Sequence, residues 1–302
     1  MTVSANRRAF IRGALAACVL PRLDARQTER VQPAKNGRGI RAGQETTIAS
    51  LALRWCPAGE FIMGSTPTEP GHRPDEAAVR VRLSKGFWMA AHEVTQSQWT
   101  RVVGAFPDRP PTDEFGRGDD IPVYWISHHE ATHFCTQLTA QAHRARQLPE
   151  SWEFRLPTEA QWEYACRANT QSAFAFGRSL DPAAANFGSL VRRDSIDPSR
   201  PGRAQRVGTY AANPWGIADM HGNIFEWCRD WYHDRLPGGV DPDLSHVVGV
   251  RNGDGTYSRV RRGGAWNDPA NFCRSAMRLR YEPHRRSDHI GFRVAVVESS
   301  NG

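Results

Sequence analysis

The chain has 302 residues, of which 39 are basic and 32 acidic, so its formal net charge is +7. Residues 1–50 hold nine of the basic and three of the acidic side chains, which places +6 of that charge in a terminal segment and leaves +1 for the rest. A basic protein is a candidate for nucleic-acid binding, but the nearly neutral body argues against this class. We expect no nucleic-acid partner.

The composition predicts a packed domain built from short elements. Ten Trp, thirteen Phe and six Tyr supply apolar bulk for a core, and 20 Pro with 26 Gly indicate many loops. No apolar run approaches the ~18 residues that a membrane-spanning helix needs. The sequence therefore predicts a folded domain without a transmembrane helix.

An export signal is predicted at the start of the chain. Arg7 and Arg8 precede a small, apolar stretch at residues 13–20, which is the pattern of a twin-arginine signal. A disordered basic tail is the alternative. We assign residues 1–25 to this signal and expect a protein that is exported by the twin-arginine route and is periplasmic or tethered to a membrane.

A lipid anchor is a further reading of the same segment. Residues 15–18 (Leu-Ala-Ala-Cys) are similar to a lipoprotein cleavage box, in which Cys18 would be acylated. The apolar stretch before Cys18 is short and is interrupted by Arg12. Residues 26–47 are rich in Arg, Gln and Gly and lack apolar periodicity, so they are interpreted as a linker to a domain at residues 48–298.

The domain begins with strands and continues with helices. Alternation of apolar and polar residues predicts strands at 48–53, 60–64 and 79–83. Three helix starts share a Ser or Thr N-cap followed three residues later by Glu or Gln, the capping-box pattern. The three caps are Thr95, Ser127 and Thr158. Short strands, three helices and long loops indicate a single α+β domain that is poor in regular secondary structure.

Six segments in fixed order carry a resemblance to a known family. They are Pro57–Gly64, His92–Gln96, Arg155–Arg167, Asn213–Trp227, Arg262–Trp266 and Gly291–Arg293. With these segments the chain resembles the formylglycine-generating enzyme (sulfatase-modifying factor) family. The resemblance implies a C-type-lectin-like fold, and it implies the family activity, in which copper and oxygen are used to oxidise a sulfatase cysteine to formylglycine.

Calcium is the cofactor that the resemblance and the residue types support together. Asp219 and Glu226 flank a glycine turn, and hard cations prefer carboxylate and carbonyl oxygens. The matching family segment binds calcium, which carries over here to the Asp219 and Glu226 side chains and the carbonyls of Gly222 and Ile224. The alternative is a glycine turn with Glu226 paired to an arginine such as Arg229.

A second family calcium site matches Asn186, which follows three alanines. Its carboxylate partner does not align cleanly, and Asp194 and Asp197 are both candidates. We expect Asn186 to belong to this second site.

The copper centre is where the match to the family fails. Authentic members use two cysteines a few residues after a Gly-Gly-Ser motif, and Cu(I) requires soft thiolate ligands. In this chain Ala265 replaces the motif serine, Asp268 replaces the first cysteine, and Cys273 falls at the position of the second. One thiol cannot form a two-sulfur site, so copper is doubtful and Cys273 is only a weak catalytic candidate.

Cys273 also has structural readings. The family can carry a disulfide from this position to the cysteine that ends the helix after Thr158, which is Cys166 here. An exported protein permits that bond. A buried free thiol and a redox or metal role are the alternatives. The other domain cysteines, which have no assignable partner, are Cys56, Cys135 and Cys228.

Two other groups of residues are candidates for a site. His129 and His133 are spaced to share a helix face and a metal, but the related iron enzymes have Glu where this chain has Cys135, so iron or zinc is not expected. The resemblance places ligand contacts near the C-terminal loops, where we predict a groove. Its residues are Trp266, Asp268, Arg278 and Tyr281, with Trp215, Trp227 and Trp231 as further aromatic candidates.

Two functions from different classes follow from these observations. The first is an exported family member of altered chemistry, either a diverged oxidoreductase or a maturation factor that acts on an exported protein or peptide. The second is a non-catalytic, lectin-like binding module that recognises a glycan or protein through the loop at residues 267–289. Fold alone does not separate the two.

Overall fold

The computed structural model describes residues 1, 37–188 and 201–299. The chain divides into two units, residues 1–30 and residues 31–302, and the description below concerns the second. The predicted twin arginines, the lipid-anchor candidate Cys18 and the calcium candidates Asp194 and Asp197 lie outside the described residues.

Twelve strands and three α-helices make up the described part of the domain. The strands are β1 (Glu45–Ile48), β2 (Leu51–Cys56), β3 (Gly59–Met63), β4 (Val79–Leu83), β5 (Phe87–Ala90), β6 (Trp152–Arg155), β7 (Phe225–Trp231), β8 (Gly239–Val240), β9 (Arg259–Arg262), β10 (Arg278–Tyr281), β11 (Ile290–Gly291) and β12 (Ala295–Glu298). The helices are α1 (Gln96–Val102), α2 (His128–Arg144) and α3 (Glu159–Arg167). Elements this short confirm the α+β prediction, and none of the described helices is long and apolar enough to cross a membrane.

The three predicted helix starts are confirmed. Each helix begins after a Ser or Thr whose side chain accepts the N3 backbone N–H, while the N3 side chain bonds back to the cap. The caps are Thr95, Ser127 and Thr158. These reciprocal bonds satisfy two of the unpaired donors at each helix start, which is why the local sequence was sufficient to locate them.

The first predicted strand is wrong in one respect. Residues 48–53 are not one strand, because Ala49 and Ser50 have φ angles of 50° and 63° and turn the chain between β1 and β2. Two successive residues with positive φ form the kind of tight turn that joins antiparallel strands. The pairing of β1 with β2 begins at Glu45, opposite Arg54. Glu45 lies within the segment that the sequence analysis interpreted as a linker.

A five-stranded antiparallel sheet forms the centre of the domain, in the order β1-β2-β5-β12-β6. The inner strands β5 and β12 are buried on both faces, and their alternate residues enter two separate hydrophobic clusters. Trp88 and Val296 pack in one cluster with α1 and α2, whereas Met89 and Ala295 pack in the other with α3. Because β5 and β12 come from opposite ends of the domain, this sheet closes the fold.

The second sheet has the order β10-β9-β7-β11, and a third, smaller sheet has the order β3-β4-β8. In the second sheet β7 pairs antiparallel with β9 and parallel with β11. This arrangement places the C-terminal loops that flank β9 and β11 on either side of β7. The candidate site lies in these loops.

Candidate functional site

The two strands beside β7 bring together residues that are far apart in sequence. Arg261 on β9 lies opposite Trp227, and Ile290 at the start of β11 lies beside Phe225. His289 therefore arrives close to Arg261: the His289 Nε2 atom is 3.5 Å from an Arg261 guanidinium nitrogen. The sheet register, and not the local sequence, creates this contact.

Arg261 is a half-buried cation with few hydrogen-bond partners. Its guanidinium lies 4.2 Å from the ring centre of Phe225 and 5.2 Å from that of Tyr281, within the range of cation–π attraction. Its Nε atom is buried and has no hydrogen-bond partner among the described residues. Burial lowers the pKa of Arg261 to about 10, although the charge of Asp268 acts in the opposite direction.

The loop after Gly263 and Gly264 supplies an acid and an indole. Both glycines have positive φ, 99° and 74°, a conformation that favours glycine. In the turn that follows, the Asp268 N–H donates to the carbonyl of Ala265. Burial raises the pKa of Asp268, while His289 and Arg261 partly oppose that shift, so these three groups form one electrostatic cluster.

Two buried side-chain atoms of this loop lack hydrogen-bond partners among the described residues. Asp268 Oδ2 and Trp266 Nε1 are buried, and neither has a hydrogen-bond partner in the described part of the chain. A buried polar atom without a partner costs about 1–3 kcal/mol. Together with Arg261 Nε, the loop therefore offers two donors and one acceptor that a ligand would satisfy. We call the group Arg261, Trp266, Asp268 and His289 the loop site.

His289 is oriented by its neighbours. Its Nδ1 atom lies 2.7 Å from Asp288 Oδ1 and 3.0 Å from Ser287 Oγ. Ser287 Oγ is 3.4 Å from Nε2 and thus lies nearer to Nδ1, the nitrogen that Asp288 also contacts. A nucleophilic triad needs the serine and the acid on opposite nitrogens, which is not the arrangement here. Ser287 and Asp288 fix the ring and leave Nε2 directed toward Arg261.

Three of the four residues predicted to line a groove lie in or beside the loop site. Asp268 belongs to it, Trp266 precedes Asp268 by two residues, and Tyr281 packs against Arg261 and stacks on Trp227. Sequence reasoning did not single out Arg261 or His289, although His289 lay within the loop proposed for recognition. In the sequence, Arg261 is one basic residue within a strand, and His289 is a histidine just before another strand. Neither feature alone indicates a site.

Arg278 is a correction, because it does not line the groove. It is fully buried and donates to both oxygens of Glu159 at 2.8 and 2.6 Å. Two backbone carbonyls accept from its remaining nitrogen. The other tryptophans are also placed elsewhere: Trp215 packs on Tyr164, and Trp231 lies under Arg259.

The Cys166–Cys273 disulfide expected from the resemblance is not formed, because both residues are free, buried thiols. The thiol of Cys166 faces Ser275 and the ring of His221, at 3.6 and 3.7 Å. The Cys273 thiol fills the space that a side chain at Gly264 would need. Burial raises the pKa of Cys273, and the nearby Asp268 charge acts in the same direction.

His221 is held as a neutral ring between these two cysteines. Its Nδ1 atom is 2.8 Å from the carbonyl oxygen of Cys273, and its Nε2 atom is 3.0 Å from the backbone nitrogen of Ala175. A carbonyl can only accept and an N–H can only donate, so the proton resides on Nδ1. Burial lowers the pKa of His221 to about 4.

The expected calcium ligand Glu226 is taken by an arginine. Both of its oxygens accept from Arg293, each at 2.6 Å, and Oε2 also accepts from the indole of Trp162 at 2.7 Å. The partner is therefore Arg293 and not Arg229, the alternative named from sequence. A second cation beside this guanidinium would be repelled, so the donor set at Glu226 does not fit calcium.

The remaining calcium candidates are divided between two environments. Asp219 accepts the backbone N–H of Gly208 at 2.7 Å, and Gly222 packs against the carbonyl of Asn186. Asn186 donates to Asn223, yet its own Oδ1 is buried without a partner among the described residues. That unpaired oxygen fits a hard cation, whereas the described residues contain no cluster of three His, Cys, Asp or Glu side chains suited to a metal.

The histidine pair on α2 does not reach such a cluster either. His129 and His133 are both exposed, and the buried histidine of that helix is His128. The ring of His128 packs against Trp227 at 5.7 Å. The exposed pair lies on the solvent-facing side of the helix.

Comparisons with known proteins agree with this architecture. A family described as "Sulfatase-modifying factor enzyme 1-like domain" matches residues 44–297. The formylglycine-generating enzyme of Mus musculus is 26% identical over 306 residues, which covers 86% of this chain and 79% of that protein.

Two further relatives are named serine/threonine-protein kinase pkn1. That of Chlamydia caviae is 38% identical over 143 residues, and that of Chlamydia pneumoniae is 33% identical over 248 residues. These matches cover 47% and 78% of this chain but only 21% and 36% of those proteins' own lengths.

Solved structures support the fold alone. PvdO from Pseudomonas aeruginosa has a TM-score of 0.70 at 23% identity and covers 85% of this chain and 99% of its own. Treponema denticola variable protein 1 has a TM-score of 0.62 at 24% identity, with 83% and 97% coverage. At this level of identity no function is transferred.

Proposed function

Because the chain belongs to the sulfatase-modifying factor family, we propose that it uses the family's C-terminal loops to bind a peptide segment of an exported protein, without the copper-dependent oxidation of cysteine. The observation that carries this proposal is the set of unpaired buried atoms in the loop site: Arg261 Nε, Trp266 Nε1 and Asp268 Oδ2. Eleven buried side-chain atoms of the described residues lack a partner, and three of them lie together in the loop site, where a ligand would complete them.

The donors at this position do not suit copper. Asp268 offers oxygen where the family chemistry uses sulfur, and Cu(I) prefers thiolates. Cys273 is buried beneath the loop, and the rise in its pKa keeps it as a neutral thiol, whereas the thiolate is the metal ligand and nucleophile. A diverged oxidoreductase at this site would therefore need a chemistry that does not depend on a thiolate pair.

A peptide fits the polarity of the loop site. Each peptide unit supplies one donor and one acceptor at a fixed spacing, which matches the two free donors of Arg261 and Trp266 and the free acceptor of Asp268. The half-buried ring of Tyr281 next to Arg261 adds apolar surface. A maturation or recognition role toward an exported partner follows from this match, and it unites the two functions that the sequence suggested.

The test is a selection from a displayed peptide library on the wild-type domain, with counter-selection on the Asp268→Asn variant. Recovered peptides are then measured by calorimetry. We expect at least ten-fold weaker binding to Asp268→Asn and to Trp266→Phe, because each change removes one unpaired atom. Arg280→Ala is the matched control, since Arg280 is exposed on the neighbouring strand. Peptides that bind Asp268→Asn as well as wild type, or a glycan array that gives the only signal, would overturn the proposal.

We further propose that the domain works outside the cytoplasm. The support is the Arg7-Arg8 pair ahead of the apolar stretch at residues 13–20. Cell fractionation of the full chain and of the Arg7→Lys/Arg8→Lys variant tests it: wild type should be exported and the variant retained. Mass spectrometry of the exported protein then shows whether Cys18 begins the mature chain and carries a lipid.

Calcium enters the proposal at Asn186 and not at Glu226. The unpaired Asn186 Oδ1 would be one ligand, and the calcium would brace the loops next to the loop site. Metal analysis of the purified protein, compared with Asn186→Ala, tests this. We expect one calcium per wild-type chain and none in the variant.

A further inference from the structure

Two aromatic rings lie together at one side of the loop site. Phe115, on the segment between α1 and α2, has its ring centre 6.4 Å from that of Trp266, and the two ring planes are inclined by 35°. The ring of Tyr124 is the other neighbour of Phe115, at 6.3 Å. Phe115 and Trp266 are each only half-buried, so both retain exposed apolar surface next to the loop site.

These two rings lie outside the hydrophobic core. Within the described part of the chain, the core consists of clusters of buried hydrophobic side chains, and half-buried rings such as Phe106 and Tyr281 pack against them. Neither Phe115 nor Trp266 belongs to these clusters or to the side chains that pack against them. Packing into the core is the usual role of a partly buried aromatic side chain, and it does not account for this pair.

The backbone around Phe115 is held in place. Its carbonyl accepts the N–H of Ala204 at 3.2 Å. The next carbonyl, that of Gly116, accepts from the side-chain amide of Gln96 at 3.1 Å and from the hydroxyl of Tyr124 at 3.0 Å. Gly116 has a φ of 104°, and a Cβ at this position would lie 2.7 Å from the carbonyl oxygen of Ala204. Phe115 is therefore a partly exposed ring on a fixed backbone, which lowers the entropy that is lost when a ligand packs on it.

The charges next to the two rings nearly cancel. Arg117 lies 3.7 Å from Asp113, and Arg261 lies within electrostatic reach of Asp268, which has the opposite charge. Glu114, which precedes the phenylalanine, is exposed, so water and salt screen its charge. These surroundings give little preference to a cation or an anion, whereas exposed ring surface favours a group that removes it from water.

We infer that the loop site recognises a bulky apolar side chain of the bound peptide, aromatic or branched, which packs against the exposed surfaces of Phe115 and Trp266. The inference rests on the proposed function, and it adds the class of side chain that the ligand carries. Trp266 belongs to both parts of the site, because its indole nitrogen is one of the unpaired donors and its ring borders Phe115. The peptide backbone and the apolar side chain are thus held on adjacent surfaces.

The experiment is an NMR titration of the whole protein with the N-acetyl amides of glycine, alanine, leucine, phenylalanine and lysine. Each probe has two peptide units around one residue, and the probes differ only in the side chain. We expect the phenylalanine and leucine probes to bind at least about five-fold more tightly than the glycine probe, because they bury apolar surface. The lysine probe should bind no better than the alanine probe.

The outcomes separate this inference from the peptide proposal. Differences below about five-fold across the series, or tightest binding by lysine, overturn the inference and leave the peptide proposal standing. The same test applies to any peptide recovered from the library, by replacing each of its bulky apolar residues with alanine. If no replacement weakens binding about five-fold, the inference is wrong. Absence of binding by every probe, together with no recovered peptide, overturns both.

Variants locate the apolar contact. Phe115→Ala should reduce the preference for phenylalanine over glycine to less than about two-fold and leave the affinity for the glycine probe unchanged, because it removes a ring and no hydrogen bond. Asp268→Asn should instead weaken every probe by a similar factor. Phe176→Ala is the matched control, since Phe176 is 39% exposed and contacts His221, and it should keep the preference.

A measurement on the wild type gives the same answer if Phe115→Ala folds poorly. The ring protons of the phenylalanine probe should show intermolecular NOEs to the ring of Phe115. Their absence at a saturating concentration of the probe, or a preference for phenylalanine that survives in folded Phe115→Ala, refutes the assignment.

Discussion

Glu226→Gln is the change that separates an arginine partner from a metal partner at the predicted calcium segment. Glu226 and Arg293 both have no exposed surface in their side chains. The carboxylate accepts two hydrogen bonds from Arg293 and one from Trp162. Glutamine keeps the size of the side chain but removes the charge. Its amide NH2 group then faces the N–H donors of Arg293 or Trp162, with which it cannot form a hydrogen bond.

The magnitude follows from the burial of the pair. Removing one partner of a buried ion pair costs about 3–5 kcal/mol, since the other charge is left uncompensated. Glu93 and Asp219 also lie near Arg293 and raise its pKa, so part of the compensation remains. We therefore expect the lower end, about 3 kcal/mol, which for a domain of this size corresponds to a fall in melting temperature of roughly 6–12 °C.

The assay is urea unfolding of wild type and variant, each with and without a calcium chelator, read as the free energy of unfolding. The control is Glu60→Gln, whose partner Arg80 is exposed and 3.3 Å away. It should lose less than about 1 kcal/mol. If Glu226 acts through Arg293, Glu226→Gln lowers the free energy of unfolding by the same amount with and without chelator. A Glu226→Gln loss that disappears in chelator, or that equals the control, refutes the reasoning.

Three further predictions concern the histidine, the thiol and the leader. The neutral His221 has a pKa near 4 in the folded state and about 6.5 unfolded, so its contribution is present above pH 6.5 and is lost as pH falls toward 4. In the wild type, the free energy of unfolding should fall by about 3 kcal/mol between pH 6.5 and pH 4 because of His221, at 1.36 kcal/mol per pK unit. His221→Gln should remove that part of the pH dependence, as measured by urea unfolding at a series of pH values. Wild type should yield no aldehyde from a sulfatase-type peptide with copper and oxygen, whereas Asp268→Cys, by placing a thiol near Cys273, should bind Cu(I) in a competition assay. Arg7→Lys/Arg8→Lys should abolish export in a fractionation experiment without changing the melting temperature of the domain.

Features fixed by neighbouring residues were accessible from sequence. The three helix starts were found because a capping box is a contact between residues three apart. The β1–β2 turn was missed because Ala49 and Ser50 are not the Gly, Asn or Asp residues that normally announce two positive φ angles. In each case the prediction succeeded only where the cap or turn was formed by the residue types that usually form it.

Contacts across the fold were not accessible in the same way. Glu226 was expected to bind calcium or Arg229, yet its partner Arg293 is 67 positions away and reaches it from the loop before β12. Arg278 was assigned to a groove near the C-terminal loops, although β10 turns its side chain inward to Glu159. Loop residues that lie near one another in sequence were thus separated by the alternation of side chains along a strand.

The arginines of the interior differ from Arg261 in how neighbouring groups offset their burial. Burial lowers the pKa of each such arginine, but carboxylates overcome this at Arg262, Arg278 and Arg293, whose pKa values are raised. Arg259 has a lowered pKa but still donates to two backbone carbonyls.

Arg261 has neither form of compensation. Its one hydrogen-bond partner among the described residues is the ring of His289. The desolvation cost of this guanidinium falls at the position where the Asp268 carboxylate and the Trp266 indole also have unpaired atoms. Such a concentration of unmet hydrogen-bonding capacity is expected where a ligand completes the structure, which is the physical basis for assigning function to the loop site and not to the better paired interior.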